Sequence, residues 1–445
     1  MKMHGTMKIN GQGHLEIGGC DTVKLIQEFG SPLYVMDEAA IRDVCRQYYQ
    51  AFIARHGAEV IYASKAFMTM AMCRIIQEEG LGLDVVSGGE LYTALKAGFP
   101  MDRIYFHGNN KTPEELELAL KSGTGRIVVD NLYELNLINA LAGEQGVRPR
   151  ILLRITPGIE AHTHEYIQTG QIDSKFGLVM SNGQAMEGIK EALTRPNVEL
   201  AGVHCHIGSQ IFEMESYQHA ARVMMEFIAE IKQETGVEIK ELNLGGGFGI
   251  YYFGNDEPGS IDNYAELVFS TVKQEAQRLG LSVPRITVEP GRSIVGNAGT
   301  TLYTIGSVKH IPGVRTYVAV DGGMTDNPRP ALYQAQYEAL LANRANEQEQ
   351  EVVSVAGKCC ESGDMLIWDI QLPEVHSGDI LAVACTGAYN YSMSSNYNRL
   401  ARPAVVLVNE GRGDVIVKRE NGEDLTRNDV VPARLTGKKS DEACA

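Results

Sequence analysis

Several features are missing from this chain of 445 residues, and each absence excludes a class of protein. No apolar run approaches the roughly 20 residues that a membrane-spanning helix needs, so we expect no membrane association. The first ten residues contain no hydrophobic block of the signal-peptide type. The eight cysteines are spaced irregularly, which argues against a secreted disulfide framework. No internal repeat of solenoid period is visible.

Positive charge is also scarce. The 40 Lys and Arg residues face 56 Asp and Glu residues, which gives a formal net charge of −16 and argues against broad nucleic-acid binding. The composition is otherwise that of a globular protein, with 44% hydrophobic and 22% charged residues and length enough for two domains. We therefore expect a soluble, acidic, cytoplasmic protein that binds neither nucleic acid nor a membrane.

Between Val60 and Pro290, short apolar runs alternate with longer segments of helical periodicity. Most of the runs lack polar alternation, as expected of parallel strands that are covered on both faces. The candidate strands are Val60–Ser64, Leu83–Val86, Ile104–Phe106, Ile127–Val129, Ile151–Ile155, Ala201–His206, Leu242–Leu244 and Ile286–Glu289. Eight β-then-α units predict a TIM-like (β/α)₈ barrel in the α/β class, with an open doubly wound sheet as the competing architecture.

After Gly291 the sequence pattern changes to short β-rich segments that are separated by turn residues. This pattern is typical of an all-β domain, a β-barrel or a sandwich. The first thirty residues also look β-like. We therefore predict a barrel over residues 31–290 and a β domain built from residues 1–30 and 291–445.

Residues with catalytic chemistry stand where the candidate strands end. Lys65 closes the first strand, His206 the sixth, Gly245–Gly247 the seventh and Glu289 the eighth. In a (β/α)₈ barrel the active site is built from the C-terminal ends of the strands, and the loops after strands seven and eight bind phosphate. These residues are therefore expected to meet in one site.

Lysine and histidine at strand ends each allow more than one interpretation. Lys65 would point into the barrel mouth, where desolvation lowers the pKa of an amine and makes it a nucleophile toward carbonyls. A lysine that simply emerges at a strand end fits the same pattern. His204 and His206 share a strand face, which fits a metal pair, a ring stacked on an aromatic cofactor, or a polar strand end. No obvious Cys, Asp or Glu partner supports the metal.

The glycine run Gly245–Gly249 lets backbone N–H groups close on an oxyanion, or forms only a tight turn. It matches neither the dinucleotide fingerprint, because Ile250 takes the third glycine position, nor a P-loop. Glu289 and Arg292 share one turn, either as a local ion pair or with Arg292 facing anions and Glu289 keeping a ring nitrogen protonated. A carbonyl-reactive lysine, a stacking histidine, a phosphate loop and a pyridinium partner together describe pyridoxal 5′-phosphate (PLP).

The predicted β domain also carries candidates. A thiol beside a carboxylate, as in Cys360-Glu361, can donate a proton, although a buried structural cysteine is the commoner role. Arg329 and Tyr333 are four residues apart and could share a helical face that binds a carboxylate, or lie at the surface. Tyr389 stands in a glycine-flanked loop.

Seven segments carry a resemblance to a known family. They are Tyr62–Ala66, Asp84–Glu90, His204–Gln210, Gly245–Gly249, Glu289–Arg292, Cys360–Asp364 and Gly387–Tyr389. In this order, over nearly the whole chain, they resemble the barrel-type (fold type III) PLP-dependent amino-acid decarboxylases, and among these the diaminopimelate decarboxylases. Residues 161–177 also resemble the mobile active-site loop of this family.

The resemblance implies a role for each part of the site. Lys65 would hold PLP covalently, His206 would stack on its ring, and Glu289 would pair with the pyridine nitrogen. The phosphate would be surrounded by Ser209, Gly246, Gly247, Pro290, Gly291, Arg292 and Tyr389. The substrate would be held by Arg292, Arg329, Tyr333, Glu361 and Tyr389. Asp84 and Arg154 would orient the lysine side of the site.

The resemblance also implies a homodimer with shared active sites, in which Cys360 and Glu361 come from the partner subunit and Cys360 is the proton donor. The neighbouring Cys359 leaves open which thiol acts. The implied reaction is PLP-dependent decarboxylation of meso-2,6-diaminopimelate at its D centre, which gives L-lysine and CO₂ in lysine biosynthesis. No metal is expected.

Three alternatives remain. A sister decarboxylase of ornithine, lysine, arginine or carboxynorspermidine would share the cofactor site and differ in the distal pocket. An amino-acid racemase would need opposed acid and base groups on the two ring faces. A catalytically inactive regulatory homologue is disfavoured by the intact Lys65, Glu289 and Cys360.

Overall fold

The computed structural model describes residues 1–159 and 174–436. The segment that resembles a mobile active-site loop, residues 161–177, lies outside the described residues up to position 173, so that resemblance stays a prediction. Among the helices that the structure describes, none is both long enough and apolar enough to cross a membrane.

The chain begins with a small antiparallel sheet of three short strands. The first elements are β1 (Lys8–Ile9), β2 (Leu15–Ile17), β3 (Cys20–Asp21), α1 (Thr22–Phe29), β4 (Leu33–Asp37) and α2 (Glu38–Tyr48). Asp21 and Asp37 each cap a helix, because their carboxylates accept a hydrogen bond from an otherwise unpaired N–H of the first turn.

Nine parallel strands form the central sheet. In chain order they are β5 (Glu59–Ala63), β6 (Gly82–Val85), β7 (Ile104–Phe106), β8 (Arg126–Val129), β9 (Arg150–Thr156), β10 (Leu178–Val179), β11 (Glu199–His204), β12 (Glu241–Asn243) and β13 (Arg285–Val288). Eight of them close into a barrel, because β8 pairs with β9 and β13 pairs with β5. The short β10 only extends the edge beside β9. The predicted TIM-like barrel is therefore confirmed, and the open sheet is excluded.

Helices cover the barrel from outside. They are α3 (Met70–Glu78), α4 (Gly88–Ala97), α5 (Pro113–Ser122), α6 (Leu132–Gln145), α7 (Gln184–Thr194), α8 (Met214–Thr235) and α9 (Ile261–Leu279), whereas the short α10 (Arg292–Val295) begins with residues that line the cavity after β13. Ser87, Asn131 and Ser260 each accept a hydrogen bond from the backbone N–H three residues further on. Such caps fix where a helix begins, so the loops that follow β6 and β8 are short and hold their side chains at the barrel mouth.

A second, mainly antiparallel sheet follows the barrel. Its region contains β14 (Gly299–Ile311), β15 (Arg315–Val320), α11 (Arg329–Tyr333), β16 (Ala339–Leu341), β17 (Glu351–Ala356), β18 (Met365–Leu372), β19 (Ile380–Val383), β20 (Ala404–Asn409), β21 (Arg412–Val417) and α12 (Gly422–Thr426). The strand order is β18-β17-β15-β14-β4-β20-β21, and β19 joins β16 to β14. The expected β-rich region beside the barrel is thus present.

The N-terminal segment packs on this second sheet. Leu15, Ile17 and Leu25 share one hydrophobic core with residues of β14 to β20. β4 pairs with both β14 and β20, although the sequence-based division placed residues 33–37 in the barrel. All five residues of β4 are buried, so its sequence pattern cannot be distinguished from that of a barrel strand. We therefore propose that the barrel unit starts at α2.

Candidate active site

A cavity of about 690 Å³ lies at the C-terminal ends of the barrel strands. This volume is in the range of small-molecule sites. The predicted site residues that line it are Lys65, Asp84, Arg154, His206, Ser209, Gly246, Gly247, Glu289, Gly291, Arg292, Arg329, Tyr333 and Tyr389. Pro290 stands between two lining residues, whereas Cys360 and Glu361 do not line the cavity. The structure therefore brings together residues from both parts of the chain.

Lys65 lies in a single 3₁₀ turn, Ser64–Ala66, directly after β5. The residue is exposed at the cavity, so the burial that was expected for its side chain is not found. The turn moves the side chain away from the buried strand. The apolar pattern of the strand does not predict such a turn. The backbone N–H of Tyr389 donates to the carbonyl of Ala66 at 2.8 Å, which anchors this turn to the second part of the chain.

Glu289 is buried directly after β13 and is surrounded by donors. Its Oε1 accepts a hydrogen bond from Asn243 Nδ2 at 2.7 Å and lies 2.8 Å from His107 Nε2. Its Oε2 lies 3.3 Å from His204 Nε2. These three neighbours fix the plane of the carboxylate.

The charges of this cluster differ from residue to residue. Burial alone would raise the pKa of Glu289, but His107 and His204 outweigh it and hold that pKa well below its usual value. Burial opposes a charge on His107, yet the carboxylates of Asp84 and Glu289 raise its pKa. Burial lowers the pKa of His204 to about 4. The two carboxylates therefore favour a charge on His107 beside the ionised Glu289, whereas His204 is a neutral neighbour.

His206 faces the glycine run. Its Nδ1 accepts a hydrogen bond from the backbone N–H of Gly246 at 3.2 Å. Burial, followed by the charges of Lys65 and Arg154, lowers the pKa of His206 well below its usual value, so the ring is neutral. A Cβ at Gly246 would overlap the carbonyl oxygen of Glu289, and one at Gly247 would overlap that of Gly208. Only glycine allows the loop to lie this close.

Arg292 provides a positive centre beside this loop. The buried guanidinium donates from Nη2 to Ser209 Oγ at 3.0 Å and from Nη1 to the Tyr252 hydroxyl at 2.7 Å. It also lies 4.8 Å from the centre of the Tyr389 ring. Its Nε is buried and has no hydrogen-bond partner among the described residues. An orphaned donor of this kind points to a ligand, and a phosphate or carboxylate suits it.

A second positive centre lies at the distal end of the cavity. Arg329 of α11 donates from Nη1 to the Tyr337 hydroxyl at 2.6 Å and lies 4.7 Å from the centre of the Tyr252 ring. Tyr252 thus lies between Arg292 and Arg329. Tyr333, one helical turn after Arg329, also lines the cavity. Two buried guanidiniums that line one cavity and both contact Tyr252 suit a ligand with two anionic groups.

The two adjacent cysteines lie in different environments. Cys360 and Glu361 are exposed and lie off the cavity of their own chain. The backbone N–H of Cys360 donates to Asn398 Oδ1 at 2.7 Å. Cys359 is buried, and burial together with Asp364 raises the pKa of its thiol to about 11. Neither thiol lines the cavity formed by the same chain.

Reasoning from the sequence missed four residues of the site: His107, Asn243, Tyr252 and Tyr337. His107 follows β7 directly, as Lys65 follows β5, so its position at a strand end was a usable signal. Asn243 ends β12, where it resembles a polar residue at the margin of a strand. Tyr252 and Tyr337 enter the site through loop paths that the local sequence does not show.

His107, His204 and Glu289 also satisfy one geometric condition for a metal site. Each offers a ligand atom, and these atoms lie within 4.8 Å of one another. His206, the other half of the candidate His-x-His metal pair, is not part of this group. The expectation of no metal therefore stays a prediction.

Comparisons with known proteins agree with this geometry. Residues 38–296 match the family model described as "Pyridoxal-dependent decarboxylase, pyridoxal binding domain". The chain is 57% identical over 431 residues to the diaminopimelate decarboxylase of Bacillus subtilis (strain 168), and the match covers 97% of this chain and 98% of that protein. The chain belongs to the diaminopimelate decarboxylase family of pyridoxal-dependent decarboxylases.

Solved structures of other family members are similar over nearly the whole chain. The diaminopimelate decarboxylase of M. jannaschii, crystallised with L-lysine, has a TM-score of 0.91 and 39% identity, covering 97% of this chain and 99% of that one. The Helicobacter pylori protein, also complexed with L-lysine, has a TM-score of 0.83 and 33% identity, covering 92% and 98%.

The cofactor of this family is PLP, and the residues of the cavity fit it. Lys65 supplies an amine at the cavity, and Glu289 supplies a buried, ionised carboxylate for a basic ring nitrogen. Gly246 and Gly247 leave room for backbone close to a phosphate, where Arg292 has an unpaired Nε. An amine, a carboxylate and an anion site in one cavity match the aldehyde, ring nitrogen and phosphate of PLP.

Proposed function

We propose that this protein is a PLP-dependent carboxy-lyase that decarboxylates meso-2,6-diaminopimelate at its D centre and releases L-lysine and CO₂. The observation that carries the proposal is one cavity that is lined by Lys65, the ionised Glu289 and Arg329. Support also comes from the relatives, which are named for this activity and of which two were crystallised with L-lysine.

The cofactor end is proposed to work through the charges of the cavity. When bound, PLP supplies an electron sink for the pair left by the breaking carbon–carbon bond. Lys65 Nζ holds the cofactor covalently, and Glu289 keeps a proton on the ring nitrogen by staying ionised. His206, whose ring is neutral, would stack on the ring of the bound cofactor. The phosphate is held by Ser209, Gly246, Gly247, Pro290, Gly291, Arg292 and Tyr389.

Asp84 and Arg154 are proposed to orient the lysine side of the site. Both line the cavity with Lys65. Arg154 Nε lies 4.0 Å from Asp130 Oδ1, and its guanidinium lies 4.2 Å from the centre of the Phe176 ring. Burial raises the pKa of Asp84 to about 6, so its carboxylate is ionised at neutral pH and faces the ammonium of Lys65.

The distal end is proposed to select the substrate. Arg329 binds the carboxylate of the L centre, because its buried guanidinium lines the same cavity as Lys65 and Glu289. Gripping this non-reacting end orients the D centre at the base, and a monocarboxylic substrate lacks that contact. The proposed substrate-binding residues are Arg292, Arg329, Tyr333, Glu361 and Tyr389.

The proton donor is proposed to be Cys360 of the partner subunit in a homodimer, with Glu361 beside it. Both residues are exposed and lie off the cavity of their own chain, as residues that complete a second copy would. Cys359 is a poor candidate because it is buried and the pKa of its thiol is raised to about 11. We also propose that the protein acts in the cytoplasm, as a small-molecule biosynthetic enzyme.

A substrate panel tests the function. The purified, PLP-loaded protein is supplied separately with meso-, LL- and DD-diaminopimelate, ornithine, lysine and arginine, and the released CO₂ and the remaining amine or amino acid are measured. We expect CO₂ and L-lysine from the meso isomer alone. Turnover of ornithine or arginine with no turnover of meso-diaminopimelate would replace the proposal with a sister decarboxylase.

A further inference from the structure

We propose that His107 is a positioning residue that keeps Glu289 ionised and aimed at the ring nitrogen of PLP, with Asp84 balancing its charge. The inference rests on the proposed function, since it assumes that Glu289 meets that nitrogen. His107 lies directly after β7 and is 4% exposed. Its backbone N–H donates to the carbonyl of Val85 at 2.7 Å, which ties it to the end of β6.

The side chain of His107 bridges two carboxylates that come from different strands. Its Nε2 lies 2.8 Å from Glu289 Oε1 and 3.8 Å from Asp84 Oδ1. Asp84 Oδ1 and His107 Nε2 are both buried, and neither makes a hydrogen bond of good geometry with the described residues, so the contacts of His107 with the two carboxylates are charge contacts. A cation between them therefore offsets the cost of keeping two carboxylates ionised in a buried cluster.

Other groups around His107 leave this charge in place. His204 packs edge-on against it with ring centres 4.9 Å apart, and burial lowers the pKa of His204 to about 4, so His204 adds no charge. The charge of Arg154 opposes that of His107, but Arg154 lies within ion-pair distance of Asp130. The groups that face His107 are Asp84, Asp130, Arg154, His204 and Glu289.

The sum of these charges suits the cofactor. The carboxylates of Asp84 and Glu289 raise the pKa of His107, and a protonated His107 between these two carboxylates, when both are ionised, would leave the three residues with a net charge of −1. A protonated ring nitrogen against Glu289 would bring that sum to zero. Asn243 and His204 hold the carboxylate in place as neutral neighbours. His107 therefore differs from them in contributing charge as well as position.

The first test uses the PLP-free protein. ¹⁵N-histidine labelling reports the protonation of each imidazole, and the signal that is lost in His107→Gln identifies His107. We expect His107 to show the imidazolium pattern at pH 7.5, and its titration to move to lower pH in Asp84→Asn. A neutral His107 at pH 7.5 would overturn the proposal. The titration itself is measured on the unaltered chain; if His107→Gln does not fold, His107→Asn supplies the assignment instead.

The second test compares His107→Gln with His219→Gln, which removes an exposed imidazole on α8. Glutamine can still donate but carries no charge, so we expect the dissociation constant for PLP to rise about 10- to 100-fold. The kcat should fall by a similar factor while the KM for meso-diaminopimelate changes less than about threefold. His219→Gln should match the unaltered protein.

Two outcomes are decisive. Unaltered PLP affinity in His107→Gln would overturn the positioning role. If the unaltered protein binds PLP but releases no CO₂ from meso-diaminopimelate, the proposed function fails, yet the titration and the PLP affinity still decide the role of His107.

Discussion

The position of the Arg329 side chain in the cavity is fixed by its neighbours. Its guanidinium donates to Tyr337, lies against the ring of Tyr252 and is buried. Burial opposes its charge, but the neighbouring tyrosines raise its pKa, so it remains cationic. A planar donor that is held in this way can bind a carboxylate through two parallel hydrogen bonds, which a lysine ammonium cannot do.

We therefore expect Arg329→Lys to weaken the binding of meso-diaminopimelate. Losing charge-assisted hydrogen bonds costs about 1.5–3 kcal/mol, so the KM should rise roughly 10- to 100-fold with little change in kcat. Steady-state kinetics measure both constants. Arg412→Lys, at an exposed position in β21, is the matched control. An unchanged KM in Arg329→Lys would contradict the role given to this residue.

At the scale of elements, the loops after β12 and β13 meet at the base of the cavity. The backbone N–H of Glu289 donates to the carbonyl of Gly245 at 2.9 Å, and the carbonyl oxygen of Glu289 fills the space where a Cβ of Gly246 would lie. The glycine run and the carboxylate are therefore held by one backbone contact. A shift of either loop moves both the anion site and Glu289.

The Gly246→Ala variant tests this coupling. Because the new methyl meets backbone rather than a flexible side chain, one of the loops must move, and a displacement of about 1 Å in a site can cost roughly 100-fold. We expect the PLP affinity to fall by at least about tenfold, measured by titration of the PLP-free protein. Gly11→Ala, where a Cβ would meet open space, is the control. Equal PLP affinity in the two variants would refute the coupling.

The barrel could be predicted from the sequence because each strand is a short apolar run and because chemistry follows at its end, as with Lys65, His206 and Glu289. The membership of β4 in the second sheet could not be predicted, because a buried strand of that sheet has the same run of apolar residues as a barrel strand. The exposure of Lys65 depends on one 3₁₀ turn that the sequence does not show.

Some residues of the site could be predicted from the sequence and others could not. Lys65, His206 and Glu289 each follow a candidate strand, and this shared position predicted that they meet in one site. Tyr337 belongs to the site because it accepts a hydrogen bond from Arg329, eight residues earlier. Tyr252 belongs to it because it contacts both Arg292 and Arg329. Neither contact can be read from the local sequence. His107, in contrast, could have been predicted, because it directly follows β7 as Lys65 directly follows β5.

At the scale of the whole molecule, the described cavity lacks a proton donor of the type that the family resemblance implies. Cys360 and Glu361 lie on the outside of the same chain, whereas the base and the distal end of the cavity are complete. A second copy that presents Cys360 would close this gap. The separation of the two groups within one chain supports the proposed homodimer.

Mixed dimers test this arrangement. Lys65→Ala and Cys360→Ala should each be inactive alone, but mixing them by joint refolding or co-expression should restore about a quarter of the activity. Half of randomly formed dimers are hybrids, and each hybrid has one intact site if the two residues come from different subunits. Cys359→Ala should stay active and serves as the control. No recovery in verified hybrid dimers would mean that each chain forms its site alone.

The central claim is that Lys65 carries the cofactor opposite the carboxylate of Glu289. It is tested most directly by reducing the PLP-loaded protein with borohydride and mapping the modified peptide by mass spectrometry. We expect one pyridoxyl group per chain, attached to Lys65, and none in Lys65→Ala, while Lys121→Ala, at an exposed lysine of α5, is labelled normally. A reduced protein with the label on another lysine, or with no label at all, would contradict the account.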